Sequence, residues 1–186
     1  MTVIDLGGVL AEPVSLADLK AWCRIERDDE DALLTALARA ARETIEAETR
    51  EVLVQRRFRV SVDPVPRDGW IEVERYPLQE VTAIVAYDAA GMPVAFEPEE
   101  AVIERAMGIE AVRLSRLVID AAVNGVEFEV QAGFAAGAVP ENLKLAIRRI
   151  VAVSYELRAA IPVAMQPGLV PPAARALIAP FRRVRL

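Results

Sequence analysis

The hydrophobic periodicity of this chain changes twice, and these two changes constrain its fold more than any other feature. Up to about residue 53 the apolar residues recur every three or four positions, which is typical of amphipathic helices. From residue 54 to residue 138 they alternate with polar residues, as in half-buried strands, and the helical period then returns. The sequence therefore predicts an α+β fold in which a β-rich insert of short antiparallel strands interrupts a small bundle of about four helices.

The helix predicted after the insert is the clearest single element. Pro140 stands where a first helical residue belongs, because a proline has no N–H to leave unpaired there. One apolar stripe follows at spacings of three and four, formed by Leu143, Ile147, Ile150, Val151, Ser154 and Leu157. The charged side chains off this stripe are mostly basic: Lys144, Arg148, Arg149 and Arg158. We expect this helix to close the helical bundle.

Prolines, glycines and the changes of period divide the chain into five segments. Residues 1–14 are predicted to form an extended N-terminal arm that docks on its own domain or on a neighbouring subunit. The later segments are a helical part (15–53), the β-rich insert (54–138), the continuation of the helical bundle (139–161), and a linker with a short helix and a C-terminal tail (162–186).

The sequence also suggests how the first two helices begin and which face they bury. Ser15 is predicted to cap the first helix, and Asp28 or Asp29 the second. On the second helix, Arg42 is predicted to face solvent or a neighbour and to pair with Glu46 one turn later.

The composition argues against most kinds of catalytic site. Histidine is absent, which removes the commonest general base, the commonest zinc ligand and the base of Ser-His and Cys-His pairs. The one cysteine, Cys23, excludes an internal disulfide framework and is expected in the core. We expect neither a cofactor nor a metal ion.

Clustered carboxylates offer two alternatives to this view. The acidic run at residues 28–31 could bind a cation, but it lacks the spacing of a calcium loop, so a helix start is favoured. The pairs Glu72 with Glu74 and Glu127 with Glu129 could serve acid–base chemistry in a small enzyme. Residues two apart on a strand share a face, and we interpret these pairs as a solvated sheet face.

Charge is distributed unevenly along the chain. The net charge is −6, yet residues 140–186 hold 2 acids and 8 bases. This asymmetry suggests an acidic partner for the C-terminal end, either protein or nucleic acid, or packing against acidic helices within the monomer. With 28 acids against 22 bases the chain is a poor candidate for reading DNA sequence.

Nothing in the sequence predicts a membrane protein. No apolar run approaches the roughly 20 residues of a membrane helix. The N-terminus has no basic segment ahead of its apolar residues and is not typical of a signal peptide, so synthesis in the cytoplasm is expected.

Three blocks of residues carry a family resemblance. The first block comprises residues 14–20, Arg24, Asp28, Asp29, Asp31, Leu33, Leu34, Ala40, Ala41, Glu46 and Thr49. The second comprises residues 77–79, Val81, Thr82, Ile84, Tyr87, Asp88 and Gly91. The third comprises residues 132–134, 139–141, Leu143, Lys144, Ala146, Ile147, Tyr155, Glu156 and Arg158. In order and spacing these blocks resemble the head–tail connector (adaptor) proteins of tailed bacteriophages and phage-derived gene transfer agents, in the longer form with a β-domain between helical parts.

The resemblance implies a structural role without enzymatic activity. It implies a ring, usually of twelve subunits, that joins the portal protein to the stopper or tail proteins at the head–tail interface of a virion or phage-like particle. DNA passes through such a ring without being read, and the particle is assembled in the bacterial cytoplasm. A tail-completion protein or another virion assembly protein is the alternative.

The resemblance also implies that the C-terminal segment docks on the portal. In this chain that segment is Pro180, Phe181, Arg182, Arg183, Val184, Arg185 and Leu186. It carries three arginines and one aromatic residue, and the last acid in the chain is Glu156. Arginine and aromatic side chains are enriched among the residues that dominate binding energy in interfaces.

Overall fold

The structure is a computed structural model that describes residues 1–9, 11–106, 108–160 and 170–182. Its helices and strands follow in chain order as β1 (Thr2–Asp5), α1 (Leu16–Cys23), α2 (Asp31–Thr49), β2 (Arg56–Val62), β3 (Trp70–Glu72), β4 (Leu78–Tyr87), β5 (Pro93–Phe96), β6 (Ala101–Ala106), β7 (Ile109–Leu114), α3 (Arg116–Ala121), β8 (Val126–Ala132), α4 (Glu141–Ala160) and α5 (Pro172–Ile178). Two short 3₁₀ helices span Pro98–Glu100 and Ala179–Phe181. Residues 161–169, which contain much of the predicted linker, lie outside the described residues.

The chain divides into two compact units. The β unit consists of Met1–Val9 and Gln55–Gly133, and the helical unit consists of Leu10–Val54 and Phe134–Leu186. The β unit contains all eight strands and α3, whereas α1, α2, α4 and α5 belong to the helical unit. The predicted α+β class, with a helical bundle interrupted by a β-rich insert, is confirmed.

Two antiparallel sheets form the β unit. The large sheet has the strand order β1-β2-β8-β4-β5, and the small sheet has the order β3-β7-β6. The inner face of the large sheet is apolar and buried, and its central rows pair Phe58 with Val130, Val60 with Phe128 and Val62 with Val126. Side chains alternate between the two faces of a strand, so the residues between these inward ones form the outer face of the large sheet. They are polar: Arg57, Arg59 and Ser61 on β2, and Glu127 and Glu129 on β8.

One apolar core holds the helical unit together. Its buried residues come from both sides of the insert: Leu34, Ala38, Ala41 and Ile45 of α2, and Leu143, Ala146, Ile147, Ile150 and Val151 of α4. The stripe predicted for α4 is therefore confirmed at its first four apolar positions. In the described ranges, no helix combines the length and the apolar character that a bilayer crossing needs.

The predicted start of α1 is confirmed, and that of α2 is wrong. Ser15 caps α1, since its Oγ accepts a hydrogen bond of 3.1 Å from the N–H three residues later. The residue that precedes α2 is Glu30, which makes no side-chain capping bond. Asp28 instead accepts a hydrogen bond from Lys20 of α1, and Lys20 also donates to Asp31 of α2 over 2.8 Å, which joins the two helices.

The prediction that Arg42 faces solvent or a neighbour is also wrong. Its side chain is only 5% exposed, and its Nε donates to Glu12 over 2.8 Å. Its Nη1 donates to Glu46 over 3.1 Å, which confirms that predicted pair. Position 42 adjoins the buried stripe of α2, and a guanidinium is tolerated there because three carboxylates, those of Glu12, Glu43 and Glu46, compensate its charge. Glu12 lies 30 residues away, so the helical pattern alone did not indicate it.

Two elements were not predicted from the sequence. The N-terminal arm forms β1, which pairs with β2 through Thr2 opposite Ser61 and Ile4 opposite Arg59, so the arm docks on its own domain. The second element is α3, which is too short to show a helical period in the sequence. Val118 donates its N–H to the Ser115 hydroxyl, and this bond caps α3.

The burial of α2 gives a stability prediction. Leu34 is fully buried, whereas Leu37, one turn away, is only partly buried against the same core. We expect Leu34→Ala to lower the free energy of unfolding by roughly 2–5 kcal/mol, because it leaves a cavity in a packed core. The matched variant Leu37→Ala should cost clearly less. Urea unfolding followed by far-UV circular dichroism measures both, and equal losses would contradict this assignment of the core.

Candidate interaction site

The structure describes the first three of the seven predicted portal-binding residues. Pro180 and Phe181 belong to the 3₁₀ helix Ala179–Phe181 that continues directly from α5, and Arg182 closes it by donating its N–H to the Ala179 carbonyl over 3.2 Å. The other four, Arg183, Val184, Arg185 and Leu186, lie outside the described residues. The segment therefore begins as a continuation of a helix.

Apolar packing fixes the start of this segment on the helical unit. α5 is anchored by Ala174 and Ile178, which are both fully buried in the core that α2 and α4 form. Phe181 is half-buried against that same core. The aromatic residue that the sequence suggested as an anchor for a partner thus has a structural role in its own unit.

An ion pair adds to this packing. The Arg182 guanidinium donates to Glu48 of α2, and the two side chains are 40% and 26% exposed. An ion pair at such exposure contributes little to stability, on the order of 0–1 kcal/mol, because water and salt screen it. It joins the end of the 3₁₀ helix to α2.

The basic side chains of α4 are partly compensated by its own first turn. Lys144 donates to Glu141 over 2.8 Å, and Arg148 lies 3.9 Å from the same carboxylate. The hydrogen bond from Lys144 holds the pKa of Glu141 below its usual value. Arg149 is exposed on α4, and Arg175 is exposed on α5. These two arginines and the C-terminal segment carry the basic character of this end of the chain.

The acidic run at residues 28–31 is used in ion pairs. Lys20 binds both Asp28 and Asp31, the latter over 2.8 Å, and its hydrogen bond lowers the pKa of Asp28. Glu30 accepts hydrogen bonds from Arg27 and from Tyr155 of α4. Among the residues that the structure describes, no three cysteine or carboxylate side chains are grouped as a metal ion would need.

Glu127 and Glu129 lie on β8 and Glu72 lies on β3, as predicted, whereas Glu74 lies beyond the end of β3, and these carboxylates are not simply solvated. On the outer face of the large sheet, Glu127 accepts hydrogen bonds from the hydroxyls of Ser61, over 3.0 Å, and Tyr87, over 3.2 Å. Its negative charge raises the pKa of the Tyr87 hydroxyl. Glu129 is 17% exposed and accepts from Arg59 over 2.8 Å. Each carboxylate thus binds a side chain of a neighbouring strand.

Neither Glu72 of the other pair nor the Cys23 thiol is placed as a catalytic group would be. Glu72 accepts a hydrogen bond of 3.1 Å from the Tyr76 hydroxyl. Cys23 is half-buried at the end of α1, and burial, with the nearby Glu156, raises the pKa of its thiol. A raised pKa leaves less thiolate at neutral pH, which is the opposite of what a nucleophilic cysteine needs.

Sequence reasoning missed the cross-strand network of the outer face and the cluster around Arg42. The sequence signal for the network was a charged residue at every second position, arginine in β2 and glutamate in β8. That signal could be interpreted only once β2 and β8 were known to pair. No comparable signal linked Arg42 with Glu12. Both sets stabilise their own unit, so the C-terminal segment remains the candidate site.

Comparisons with known proteins agree with the resemblance read from the sequence. Residues 13–101 match the family model described as "Phage gp6-like head-tail connector protein". No curated protein gives a significant match. The resemblance to head–tail connector proteins is confirmed.

Three solved structures share the fold, and each match covers 100% of this chain and 97% of the other. A chain from the neck of an empty gene transfer agent particle, computed with C6 symmetry, is 26% identical with a TM-score of 0.79. A chain from the virion of a native gene transfer agent particle is 27% identical with a TM-score of 0.81. A chain from the neck of a native particle, computed with C12 symmetry, is 28% identical with a TM-score of 0.73.

The packing of Phe181 leads to a second stability prediction. We expect Phe181→Ala to lower the free energy of unfolding by about 1–3 kcal/mol, less than for a fully buried aromatic residue. The neighbouring Arg182→Gln variant should change it by less than about 1 kcal/mol, because the ion pair is exposed. Urea midpoints of the two variants measure the difference. If Phe181→Ala left stability unchanged, the residue would not be part of the core and would be available to a partner.

Proposed function

We propose that this chain is a connector subunit in the neck of a gene transfer agent or phage particle, because residues 13–101 match the family model of phage gp6-like head–tail connector proteins. It assembles in the bacterial cytoplasm and joins the portal to the stopper or tail proteins. One observation carries the proposal: chains of gene transfer agent particles match this chain over its whole length with TM-scores of 0.73 to 0.81.

The proposed assembly is a ring of twelve copies. The neck of the native particle was computed with C12 symmetry and that of the empty particle with C6 symmetry. A ring of twelve satisfies both, because six-fold symmetry is contained in twelve-fold symmetry. Rings of this kind are built by repeating one contact between two different surfaces of the subunit.

The role is structural and not enzymatic. The matching family is one of connectors, and the matching structures are parts of virions and their necks. In this chain, Glu127 and Glu129 are engaged in cross-strand bonds, which supports a structural use of the carboxylates that were the best candidates for catalysis.

DNA is proposed to pass through the ring without being bound tightly. The chain holds 28 acids and 22 bases, whereas DNA-binding surfaces gain their affinity from an excess of lysine and arginine. A channel with net negative charge would let DNA slide, because it offers the negative phosphates of DNA little attraction that could retain them.

The C-terminal segment is proposed to bind the portal. Phe181 and the Arg182–Glu48 pair hold its start on the helical unit. A peptide that begins at a fixed point loses less conformational entropy on binding than a free one. Of the seven residues first assigned, Pro180, Phe181 and Arg182 then position the segment, and Arg183, Val184, Arg185 and Leu186 make the contact.

This division of roles predicts the effect of charge reversal. We expect the double variant Arg183→Glu, Arg185→Glu to abolish binding to the portal protein and to leave the circular dichroism spectrum unchanged. Burial of an interfacial charge opposite a like charge costs several kcal/mol, enough to remove measurable binding. Co-purification with the tagged portal and its dissociation constant are the measurements.

The matched control reverses two exposed arginines elsewhere on the helical unit, Arg24→Glu and Arg39→Glu, and should retain binding. Unchanged portal affinity in the tail variant would remove the assignment of residues 183–186. If the unaltered chain is not retained by the portal, and electron microscopy of the particle shows no such subunit in the neck, the connector function is wrong.

A further inference from the structure

The large sheet ends in two edges that no strand covers in the described part of the chain. These are β1 on one side and β5 with the following 3₁₀ helix on the other. Edge strands present unpaired backbone N–H and C=O groups, and soluble proteins usually protect them with charges or a covering element. Here each edge is only four residues long, and Pro93 of β5 has no N–H.

Exposed apolar side chains are concentrated at these two edges. Ten large apolar side chains are exposed in the described residues, and five of them belong to the edges: Met1, Ile4, Leu6, Met92 and Val94. Their exposed fractions run from 37% to 62%. Such a concentration is typical of a surface that another protein covers.

The edge formed by β1 carries positive charge. Behind it on β2, Arg57 is 63% exposed and Arg59 is 45% exposed. Both guanidiniums share one carboxylate, that of Glu129, at 3.5 Å and 2.8 Å. On the two strands of this edge, β1 and β2, three arginines (Arg56, Arg57 and Arg59) stand against one acid, Asp5, so these strands carry a net positive charge.

The edge formed by β5 carries negative charge. Glu97 and Glu99 follow β5 directly, and both are exposed. Within the described residues, neither side chain forms an ion pair. The two edges of one sheet are therefore opposite in charge.

The strand register places these charges at the same level of the sheet. Arg59 lies opposite Glu129, which lies opposite Ala83 of β4. Phe96 of β5 lies opposite residue 84 of β4. Because the two strands are antiparallel, Glu97 is at the level of Ala83, and therefore at the level of Arg59. A second copy placed beside the first, without a shift along the strands, would bring Arg59 of one copy level with Glu97 of the next.

We propose that the β1 edge of each subunit docks beside the β5 edge of the next subunit in the ring, with Arg57 and Arg59 facing the neighbouring Glu97 and Glu99. The inference rests on the proposed connector function, because a closed ring repeats one contact between two different surfaces. β1 and β5 run in the same direction, since four antiparallel pairings separate them. In the proposed contact, β1 of one subunit and β5 of the next are parallel. Their register is determined by charge and apolar contacts more than by backbone hydrogen bonds.

Disulfide cross-linking tests this contact directly. In a Cys23→Ala background, Thr2→Cys and Ala95→Cys place one thiol on each edge. The two positions lie at the same level of the sheet, because Thr2 is opposite Ser61, Ser61 is opposite Glu127, and residue 85 is opposite both Glu127 and Ala95. Within a copy these positions are four strand spacings apart, roughly 19 Å, too far for a disulfide. Between docked copies they are adjacent.

The full chain is co-expressed with its portal, and the purified complex is oxidised and run on a non-reducing gel. We expect a ladder of covalent multimers that collapses to one band on reduction. The control pair, Thr2→Cys with Leu117→Cys on the exposed face of α3, should give no ladder. An equal ladder from the control would overturn the contact.

The remaining outcomes separate the two proposals. A complex that contains the portal but shows no ladder from the Thr2 and Ala95 pair overturns the edge contact and leaves the connector function standing. Failure of the chain to associate with the portal overturns the function and the contact with it. Cross-linking of either edge to a different neck protein also overturns the contact.

Charge reversal gives an independent measurement. Glu97→Arg with Glu99→Arg should reduce the ring population in native mass spectrometry about tenfold or more, because like charges then meet. Adding Arg57→Glu to the same chain, with the 2.8 Å pair of Arg59 and Glu129 left in place, should raise the ring population again. The control, Glu26→Arg with Asp120→Arg, changes exposed acids that belong to neither β1 nor β5 and should leave the ring intact. Loss without restoration would overturn the proposed pairing.

Discussion

The apolar contact between α2 and α4 is the interaction on which the helical unit depends. One helix precedes the β-rich insert and the other follows it, so the core forms only when the chain returns. Ile45, Leu143 and Ile147 are completely buried in this contact. Where the insert leaves and returns, Phe134 donates its N–H to the Val52 carbonyl over 3.1 Å, which joins the two halves of the unit. The residues before and after the insert therefore belong to one unit.

The same core determines how the C-terminal segment is presented. Ile178 is fully buried and Phe181 half-buried against it, so the last helix and its 3₁₀ turn are part of the unit. The basic residues that follow then start from a defined point. This arrangement accounts for two features that the sequence shows separately, namely the apolar spacing of the last helix and the excess of arginine after it.

In the β unit, polar residues of the outer face stabilise the large sheet through bonds between strands. Glu127 and Glu129 each bind side chains of adjacent strands, and an arginine pair surrounds the second of them. The two edges of this sheet also differ in charge, because arginines lie on β2 beside β1 and glutamates follow β5. A subunit with two different edges can repeat in one direction, which suits a ring and not a two-fold dimer.

The sequence by itself determined the fold class, nearly all of the helices and strands, and the buried stripe of α4. These follow from periodicity, which is a property of neighbouring residues. It missed β1, because four residues beside two glycines show no period until a partner strand is present.

Only the tertiary structure decided which charged and aromatic side chains are exposed and which are buried. Arg42 is buried because Glu12, 30 residues away, lies against it, and Phe181 is packed because a core built from distant helices reaches it. Such pairings depend on residues far apart in the chain. The local sequence pattern does not predict these pairings, because it indicates which residues share a face of a helix or strand but not which other element that face contacts.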